Sequence, residues 1–277
     1  MKQPLIILSL LVSIFSSVSF FGCTKTTTHT DTVTVIDTLK PPVGDTTYKH
    51  INDSLWAYYP LNGNLGDSSG NNHTLSLVGS GVSLGYDLWG NPQGALDFTP
   101  GSSYAEIADG ANFNAPNFTV SLFAMERTVR GLLFSKVDYN NAYGATFNVG
   151  SSPTYYIDTL DFSINADPNV CSEIPQSAST YNALNLTESI LPYAWYHIVI
   201  TFSNGVGNLY VNGNLVGTKT VPEQQLAECS NAPFILGNWW AQDNGPSVDG
   251  KIDEVRVYSR VLTTNEITYL YKNFYTK

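Results

Sequence analysis

The stretch WYHIVITFSNGVGNLYVNGNLVGTKTV, residues 195–221, has the pattern of two consecutive β-hairpins. An apolar run, HIVITF, is followed by the turn-forming residues SNGVG, and a second run, NLYV, leads into Asn212-Gly213. Asn-Gly supplies the two positive-φ residues of a type I′ turn, which joins neighbouring antiparallel strands. The stretch therefore predicts an antiparallel meander.

The sequence on both sides of this meander repeats the same pattern. Short apolar runs such as LWAYYPL, FTVSLFAME and IDEVRVYS alternate with clusters of Gly, Asn, Asp and Pro. No helical pattern of 10–15 residues separates them, which argues against an α/β fold. About a dozen strands in one domain predict two packed sheets, and we place this domain at residues 51–277.

One helix is predicted at the end of the chain. Thr263 and Glu266 have the spacing of a capping box, and Leu262 and Ile267 occupy the positions of a hydrophobic staple. Apolar residues then recur with helical spacing and form one stripe: Ile267, Leu270, Tyr271 and Phe274. We expect this short C-terminal helix to pack on the sandwich.

The first residues have the pattern of a signal peptide. Lys2 precedes an apolar run from Leu5 to Phe21, which is short for a transmembrane helix of about 20 residues. The run ends in Gly22-Cys23 and resembles the lipobox of bacterial lipoproteins. The resemblance implies that residues 1–22 are removed and that Cys23 carries lipid, which anchors the protein to a membrane. The alternative is an ordinary secretory signal with a cysteine by chance.

Residues 23–50 are Thr-rich, contain a Pro-Pro pair and lack a sustained core pattern, so we interpret them as a flexible tether. Neither an Asp directly after Cys23 nor an acidic cluster close to it is present, so the sequence lacks these two sorting signals for the inner membrane and the cell surface. We therefore expect a cell-envelope protein, an outer-membrane lipoprotein that faces either the periplasm or the surface.

Charge and cysteine content limit the partners. The chain has a formal net charge of −10, and loss of Lys2 with the signal peptide makes it one unit more negative. Such a chain is repelled by nucleic acid, so we exclude nucleic acid as a partner. Besides Cys23, the chain has Cys171 and Cys229, an even pair in an oxidising compartment. They form a disulfide or, alternatively, two separate buried thiols.

Several segments resemble, in the same order, the laminin-G-like and concanavalin A-like jelly rolls of bacterial envelope proteins. The most specific are WYHIVITFSNGVGNLYVNGNLVG and GKIDEVRVYSRVLTTNEITYLY, and the resemblance extends over most of residues 54–275. It implies an all-β, two-sheet antiparallel jelly-roll sandwich. It does not choose a function, because this fold serves sugar binding, adhesion and catalysis alike.

The acidic residues do not form a recognisable glycosidase pair. Asp253 and Glu254 are adjacent in a strand pattern, so regular alternation would point them to opposite faces, away from one shared substrate. The remaining acids stand isolated in sequence. We therefore expect no catalytic residue and no enzyme activity, with a glycoside hydrolase that uses an unrecognised carboxylate pair as the less favoured alternative.

Asp253 is the candidate for a metal ligand. Regular alternation would place it on the core face with Val255 and Val257, where a carboxylate needs a cation or hydrogen bonds. Asp67, in an oxygen-rich loop, is the predicted second ligand of a structural Ca²⁺, an ion that such jelly rolls often hold. Alternatively, Asp253 accepts backbone N–H groups of the Asp67 loop. The pattern also predicts that Glu254 and Arg256 form an ordinary surface charge pair.

Loop aromatics beside amides are the candidates for sugar binding. The segment GNWWAQDNGPS supplies Trp239, Trp240, Gln242, Asp243 and Asn244, and VDYNNAYGATF supplies Tyr139, Asn141 and Tyr143. A third segment, LGYDLWGNPQG, supplies Tyr86 and Trp89. The alternative for each ring is a cap on the end of the core. Trp195 and His197 lie within a strand pattern and are predicted to be buried and structural.

Together these observations predict a lipid-anchored, non-catalytic envelope protein whose jelly-roll domain binds carbohydrate. The alternative is an adhesion or scaffold module whose partner is an envelope or extracellular protein.

Overall fold

The fold was taken from a computed structural model, which describes residues 47–113, 115–128, 131–138, 144–151, 159–165, 181–220, 233–238 and 247–275. These residues lie within one compact unit of the chain, residues 38–277. None of the helices in them is long and apolar enough to cross a membrane.

Fifteen strands and one α-helix are found in the described residues. In chain order they are β1 (Leu55–Tyr59), β2 (Leu75–Val78), β3 (Val82–Gly85), β4 (Ala95–Phe98), β5 (Tyr104–Ile107), β6 (Phe118–Thr128), β7 (Gly131–Asp138), β8 (Gly144–Ser151), β9 (Thr159–Asn165), β10 (Tyr181–Ser189), β11 (Trp195–Ser203), β12 (Val206–Val211), β13 (Asn214–Thr220), β14 (Phe234–Leu236), β15 (Asp249–Tyr258) and α1 (Thr264–Phe274). Short 3₁₀ helices occur at Thr47–His50 and Ala108–Asn112.

The strands form two antiparallel sheets. The first sheet has the order β13-β12-β11-β6-β15-β4-β3, and β1 also pairs with β15. The second sheet has the order β10-β9-β8-β7-β14-β5-β2. Side chains from both sheets meet in one buried core, among them Phe118, Val120, Leu122, Phe162, Phe234 and Leu236. The predicted two-sheet antiparallel jelly-roll sandwich is confirmed.

The hairpin from which the sequence prediction started is also present. Val211 of β12 pairs with Asn214 of β13, so the loop between these strands has two residues. Asn212 and Gly213 have φ values of 51° and 78°. These are the left-handed conformations that a type I′ turn requires.

Helix α1 packs on the outer face of the first sheet, the face opposite the core. Its N-terminus has the predicted capping box, in which Thr263 accepts from the Glu266 N–H and the Glu266 carboxylate accepts from the Thr263 N–H. Its buried stripe, with Ile267 and Leu270, packs against apolar residues of four strands: Leu55, Val199, Tyr210 and Tyr258.

Arg260 joins the beginning of the described domain to this helix. Its guanidinium donates to both carboxylate oxygens of Glu266, at 3.0 and 2.6 Å, and to the carbonyls of His50 and Asp53, both at 2.8 Å. Burial raises the pKa of Glu266, but the bonds from Arg260 and Thr263 outweigh burial and hold this pKa below its usual value. The pair therefore stays charged at neutral pH.

Strand β15 contains a β-bulge that the sequence pattern did not predict. Against β6, Asp253 pairs with Phe123 whereas Arg256 pairs with Ser121, so β15 has one extra residue between these pairs. Glu254 lies in this interval with a φ of 52°, a left-handed conformation uncommon outside glycine. One extra residue reverses the facing of the residues that follow it.

Because of the bulge, the side chains of β15 do not alternate between the two faces as the sequence predicted. Ile252, Val255 and Val257 all face the core. Asp253 lies directly opposite Phe123, whose ring stacks on Phe274 of α1 at 3.5 Å between centroids, so Asp253 shares the outer face with that ring. The prediction that Asp253 faces the core with the two valines is therefore wrong.

Candidate functional site

Most residues predicted to bind sugar or to form covalent links lie outside the described residues. For these the sequence predictions stay predictions: Trp239, Trp240, Gln242, Asp243, Asn244, Tyr139, Asn141, Tyr143, Cys171, Cys229 and Cys23. The candidate site is therefore built from the parts of both sheets and of α1 that the structure describes.

Asp67 organises its own loop. Its Oδ1 accepts from the N–H groups of Tyr58 at 3.0 Å and Ser69 at 2.8 Å. Its Oδ2 accepts from the Ser69 hydroxyl at 2.8 Å and the His73 N–H at 3.0 Å. Burial raises the pKa of Asp67, but these four hydrogen bonds outweigh burial and lower it. This carboxylate therefore anchors the loop to β1.

Asp253 is buried, with 2% of its surface exposed. Its Oδ1 accepts from the N–H of Glu254 at 2.7 Å, which helps to hold the bulge. In the described parts of the chain, no three His, Cys, Asp or Glu side chains come close enough to form a metal site. A calcium site at Asp67 and Asp253 thus stays a prediction.

Glu254 and Arg256 are not the surface pair that the sequence predicted. Their side chains are 6% and 12% exposed, and Arg256 Nη2 donates to Glu254 Oε2 at 3.1 Å. The Tyr58 hydroxyl donates to the same oxygen at 2.8 Å, and the Arg256 guanidinium stacks 3.5 Å from the centre of the Tyr58 ring. The pair is buried because the last turns of α1 lie over it, and a buried pair depends strongly on both partners.

His197 is structural, as predicted. It is fully buried between the rings of Phe123 and Tyr271, and its Nε2 lies 2.9 Å from the Ser121 hydroxyl oxygen. Burial first, and the charge of Arg256 second, lower the pKa of His197 to about 3. The imidazole is therefore neutral at physiological pH.

An exposed aromatic loop follows β3. Tyr86 is 61% exposed and Trp89 is 36% exposed. The loop is rigid because the carboxylate of buried Asp87 accepts from the Trp89 N–H and from the N–H and side-chain amide of Asn91, all within 2.9 Å. Lys251 of β15 also donates to the Tyr86 carbonyl. The backbone that carries both rings is thereby held in place, and the Trp89 ring also packs on Phe274.

These rings continue into a larger surface at the C-terminal end of α1. Trp89 lies 4.6 Å from Phe274, measured between ring centroids, and Trp195 lies 6.2 Å from the same ring on another side. Tyr275, 42% exposed, follows Phe274 directly. We call Tyr86, Trp89, Trp195 and Tyr275 the aromatic edge.

Polar groups lie beside the aromatic edge along one row of the first sheet. Trp195 pairs with Met125, Met125 with Lys251, and Lys251 with Asp97. Arg127 donates to Asp97 and Asp249, each at 2.7 Å. Both carboxylates are thus held by a cation, and the row presents fixed donors and acceptors next to the rings.

The sequence identified part of this surface. Tyr86 and Trp89 stood out because they lie in a loop rich in Gly, Asn and Pro. Trp195 was predicted to be buried, but it is partly exposed, with its ring 6.2 Å from that of Phe274 at the end of α1. No sequence pattern identified Tyr275 as a surface residue, since it directly follows the apolar stripe of the helix.

The geometry of the sandwich agrees with comparisons to known proteins. A family model described as Concanavalin A-like lectin/glucanases superfamily matches residues 99–268, more than half of the chain. The chain belongs to this superfamily. No curated protein sequence matches the chain at a significant level.

Solved structures of this fold are similar to the chain at low identity. Domain 4 of the extracellular arabinanase AbnA from Geobacillus stearothermophilus, in complex with arabinotriose, is 22% identical with a TM-score of 0.59, and the match covers 78% of this chain and 98% of that domain. The binding domain of Paraclostridial Mosquitocidal Protein 1 is 17% identical with a TM-score of 0.59, over 81% of this chain and 53% of that one.

A structure of botulinum neurotoxin type C, whose cell entry depends on two ganglioside molecules, is 15% identical with a TM-score of 0.56, over 82% of this chain and 52% of that one. This chain thus spans about half of each toxin chain. At such identities the similarity establishes the fold alone.

Proposed function

We propose that this protein is a lipid-anchored, non-catalytic envelope protein whose jelly-roll domain binds carbohydrate at the aromatic edge. The observation that carries the proposal is the pair of exposed rings, Tyr86 and Trp89, fixed by the buried Asp87 carboxylate. Similar structures include a domain bound to arabinotriose and a toxin that interacts with gangliosides, which supports a glycan ligand.

The chemistry of the aromatic edge fits a sugar. Tyr and Trp offer a flat apolar face for the C–H side of a pyranose ring and a polar tip for its hydroxyls. Rigid rings lose little conformational entropy on binding. The neighbouring row of Asp97, Lys251 and Arg127 supplies fixed polar groups that can select hydroxyl positions.

The acids near the edge support a binding role rather than catalysis. Asp97 and Asp249 both accept from Arg127, and Glu254 accepts from Tyr58 and Arg256. A glycosidase needs one protonated and one ionised carboxyl facing the same bond. Each of these carboxylates is instead hydrogen-bonded to a neighbouring arginine, which occupies oxygens that would have to face the glycosidic bond.

The test is a glycan array with the purified full-length protein, followed by titration calorimetry on the strongest hit. Trp89→Ala should weaken binding at least about 10-fold, since stacking on one ring contributes about 1.4 kcal/mol or more. Leu215→Ala is the matched control: Leu215 is 53% exposed but lies on β13, at the opposite edge of the same sheet. Unchanged binding in Trp89→Ala would rule out the aromatic edge.

Trp239→Ala and Trp240→Ala test the loop that the sequence identified. If these variants lose binding while Trp89→Ala keeps it, the sugar site is in that loop and not at the aromatic edge. No glycan binding by the wild type, with or without Ca²⁺, would contradict the carbohydrate proposal itself.

A second candidate is a module that binds a protein partner. The connection between β10 and β11 exposes two large apolar side chains, with Leu191 62% and Tyr193 72% exposed. Receptor-binding toxin domains share the fold. In that case Trp89→Ala should leave protein pull-downs intact, whereas Tyr193→Ala should reduce them.

The membrane anchor is tested separately. Metabolic labelling with a radioactive fatty acid should label the wild-type protein and not Cys23→Ser, and the wild type should fractionate with outer membranes. Equal labelling of both proteins, or none of the wild type, would contradict lipidation at Cys23.

A further inference from the structure

A recess opens on the side of α1 away from the aromatic edge. Its volume is about 240 Å³, and it lies between the helix, β1, β15 and the Asp67 loop. Arg256 and Tyr58 line it from the sheet, and Tyr269 and Asn273 line it from the helix. Ser68 of the Asp67 loop and Asn52 of the segment before β1 complete the lining. A recess of this size is close to the lower end of small-molecule pockets, about 300 Å³.

Arg256 is the charged group that lines this recess, and within the described residues its hydrogen bonds do not use all of its N–H donors. The guanidinium donates one hydrogen bond within the described residues, from Nη2 to Glu254. It also interacts with the enclosed Tyr258 hydroxyl, so this side of the guanidinium is occupied. None of its nitrogens is both enclosed and unpartnered within the described residues, so the remaining N–H groups are accessible; Arg256 lines both this recess and a narrow cleft beside Phe274.

The other described arginines use their donors more fully. Arg127 bridges two carboxylates, Asp97 and Asp249, and also donates to a backbone carbonyl. Arg260 donates to both oxygens of Glu266 and to three carbonyls. Within the described residues Arg256 forms an ion pair with one carboxylate, that of Glu254, and its side chain lines the recess.

Besides the apolar Ile51 and Leu270, the remaining lining is polar or aromatic and suited to the hydroxyl groups of a sugar. Ser68 and Asn52 are exposed at the mouth, and neither side chain has a hydrogen-bond partner within the described part of the chain. The Tyr58 ring forms an aromatic wall beside the guanidinium. A ligand that fits this lining carries one carboxylate and several hydroxyls on a compact ring.

We propose that this recess binds a carboxylate-bearing monosaccharide, a uronic acid, with its carboxylate on the open side of Arg256 and its hydroxyls on Asn52 and Ser68. A guanidinium recognises a carboxylate through two parallel N–H···O bonds, which a neutral sugar cannot reproduce. This second site goes beyond the proposed function, because α1 separates it from the aromatic edge and it shares no residue with that surface.

The experiment is a titration of the ¹⁵N-labelled full-length protein with glucuronate, followed by NMR. Glucose is the neutral control of the same shape, and acetate is the carboxylate without a sugar ring. We expect glucuronate to shift the amide signals of the recess and to bind at least about 10-fold more tightly than either control. Equal binding of glucose would overturn the role of Arg256, and equal binding of acetate would overturn recognition of a sugar.

Two variants locate the site. Arg256→Lys keeps the charge beside Glu254 but loses the planar fork, so glucuronate affinity should fall about 10-fold. Ser68→Phe fills the mouth from an exposed position and should abolish binding without lowering the melting temperature. If glucuronate binds to Ser68→Phe as it does to the wild type, the recess is not the site.

We expect glucuronate binding at the recess to be independent of the aromatic edge. Trp89→Ala should leave glucuronate binding at the recess unchanged, even where it weakens polysaccharide binding. Loss of both activities in Trp89→Ala would overturn the assignment of two separate sites.

Discussion

Lowering the pH from about 8 to about 5 should cost the folded protein about 2 kcal/mol through His197 alone. The imidazole is buried beneath α1, with Nε2 beside the Ser121 hydroxyl. Its Nδ1 is enclosed and has no hydrogen-bond partner among the described residues. A proton added at Nδ1 would therefore create a buried charge without an acceptor, near the positive Arg256.

The magnitude follows from the two pKa values of His197. Its pKa is about 3 in the folded protein and 6.5 in the unfolded chain. Between these values the unfolded chain binds a proton that the folded protein does not, so stability falls as the pH drops below 6.5. The loss is about 2 kcal/mol at pH 5, at about 1.4 kcal/mol for each pH unit below the unfolded value.

The assay is urea unfolding at several pH values from about 8 to about 5, where most carboxylates remain ionised. His197→Gln removes this imidazole and should lose about 2 kcal/mol less than the wild type over the interval. His73→Gln is the matched control, since His73 is the partner of Asp109 in another part of the fold, and it should retain the loss due to His197. The same pH dependence in wild type and His197→Gln would refute the reasoning, as would an NMR titration that shows His197 protonated near pH 6.

Four further predictions concern stability. Asp67→Ala removes the acceptor of four hydrogen bonds and should lower the free energy of unfolding by about 1–3 kcal/mol in urea. If Asp67 and Asp253 hold Ca²⁺, EDTA should also lower the melting temperature and added Ca²⁺ should restore it; no shift would retire the metal site. Glu266→Gln should cost about 2 kcal/mol at pH 7, and the difference from wild type should shrink as the pH falls below 4.5, because the folded carboxyl has a lowered pKa; a constant difference would contradict this. Gly237→Ala should cost more than Gly90→Ala in thermal unfolding, because both glycines have positive φ but only the added Cβ at Gly237 would collide with a core phenylalanine ring; equal costs would show that the core yields.

Local signals in the sequence predicted the local structure correctly. Asn212-Gly213 forms the predicted turn, because its two residues tolerate positive φ better than most others do. Thr263 and Glu266 form the predicted capping box, which depends only on residues three apart. Alternating apolar runs were sufficient to predict two antiparallel sheets.

The bulge at Glu254 could not be predicted in this way. It lies where β15 exchanges one neighbour for another: Ile252 pairs with β4, whereas Val255 pairs with β1. Which strands meet at this point is decided by residues more than a hundred positions away. A pattern confined to β15 therefore predicted unbroken alternation and assigned Asp253 to the wrong face.

The candidate sites show the same limit. Trp195 has the pattern of a core residue, but it lies on the outer face of the first sheet, where the end of α1 covers it only in part. Arg256 and Glu254 have the spacing of a surface pair, and only the packing of α1 buries them. Both features come from one helix docking on a sheet, which the sequence predicted in general but without its position.

The clamp made by Arg260 brings the two ends of the described domain together. The guanidinium joins the His50 carbonyl to the first turn of α1, and an 11-residue helix is about 16 Å long. A linker of roughly six residues could therefore connect Tyr275 back to Thr47. The domain is accordingly suited to circular permutation, or to insertion into a surface loop of a host protein, without distortion of either sheet.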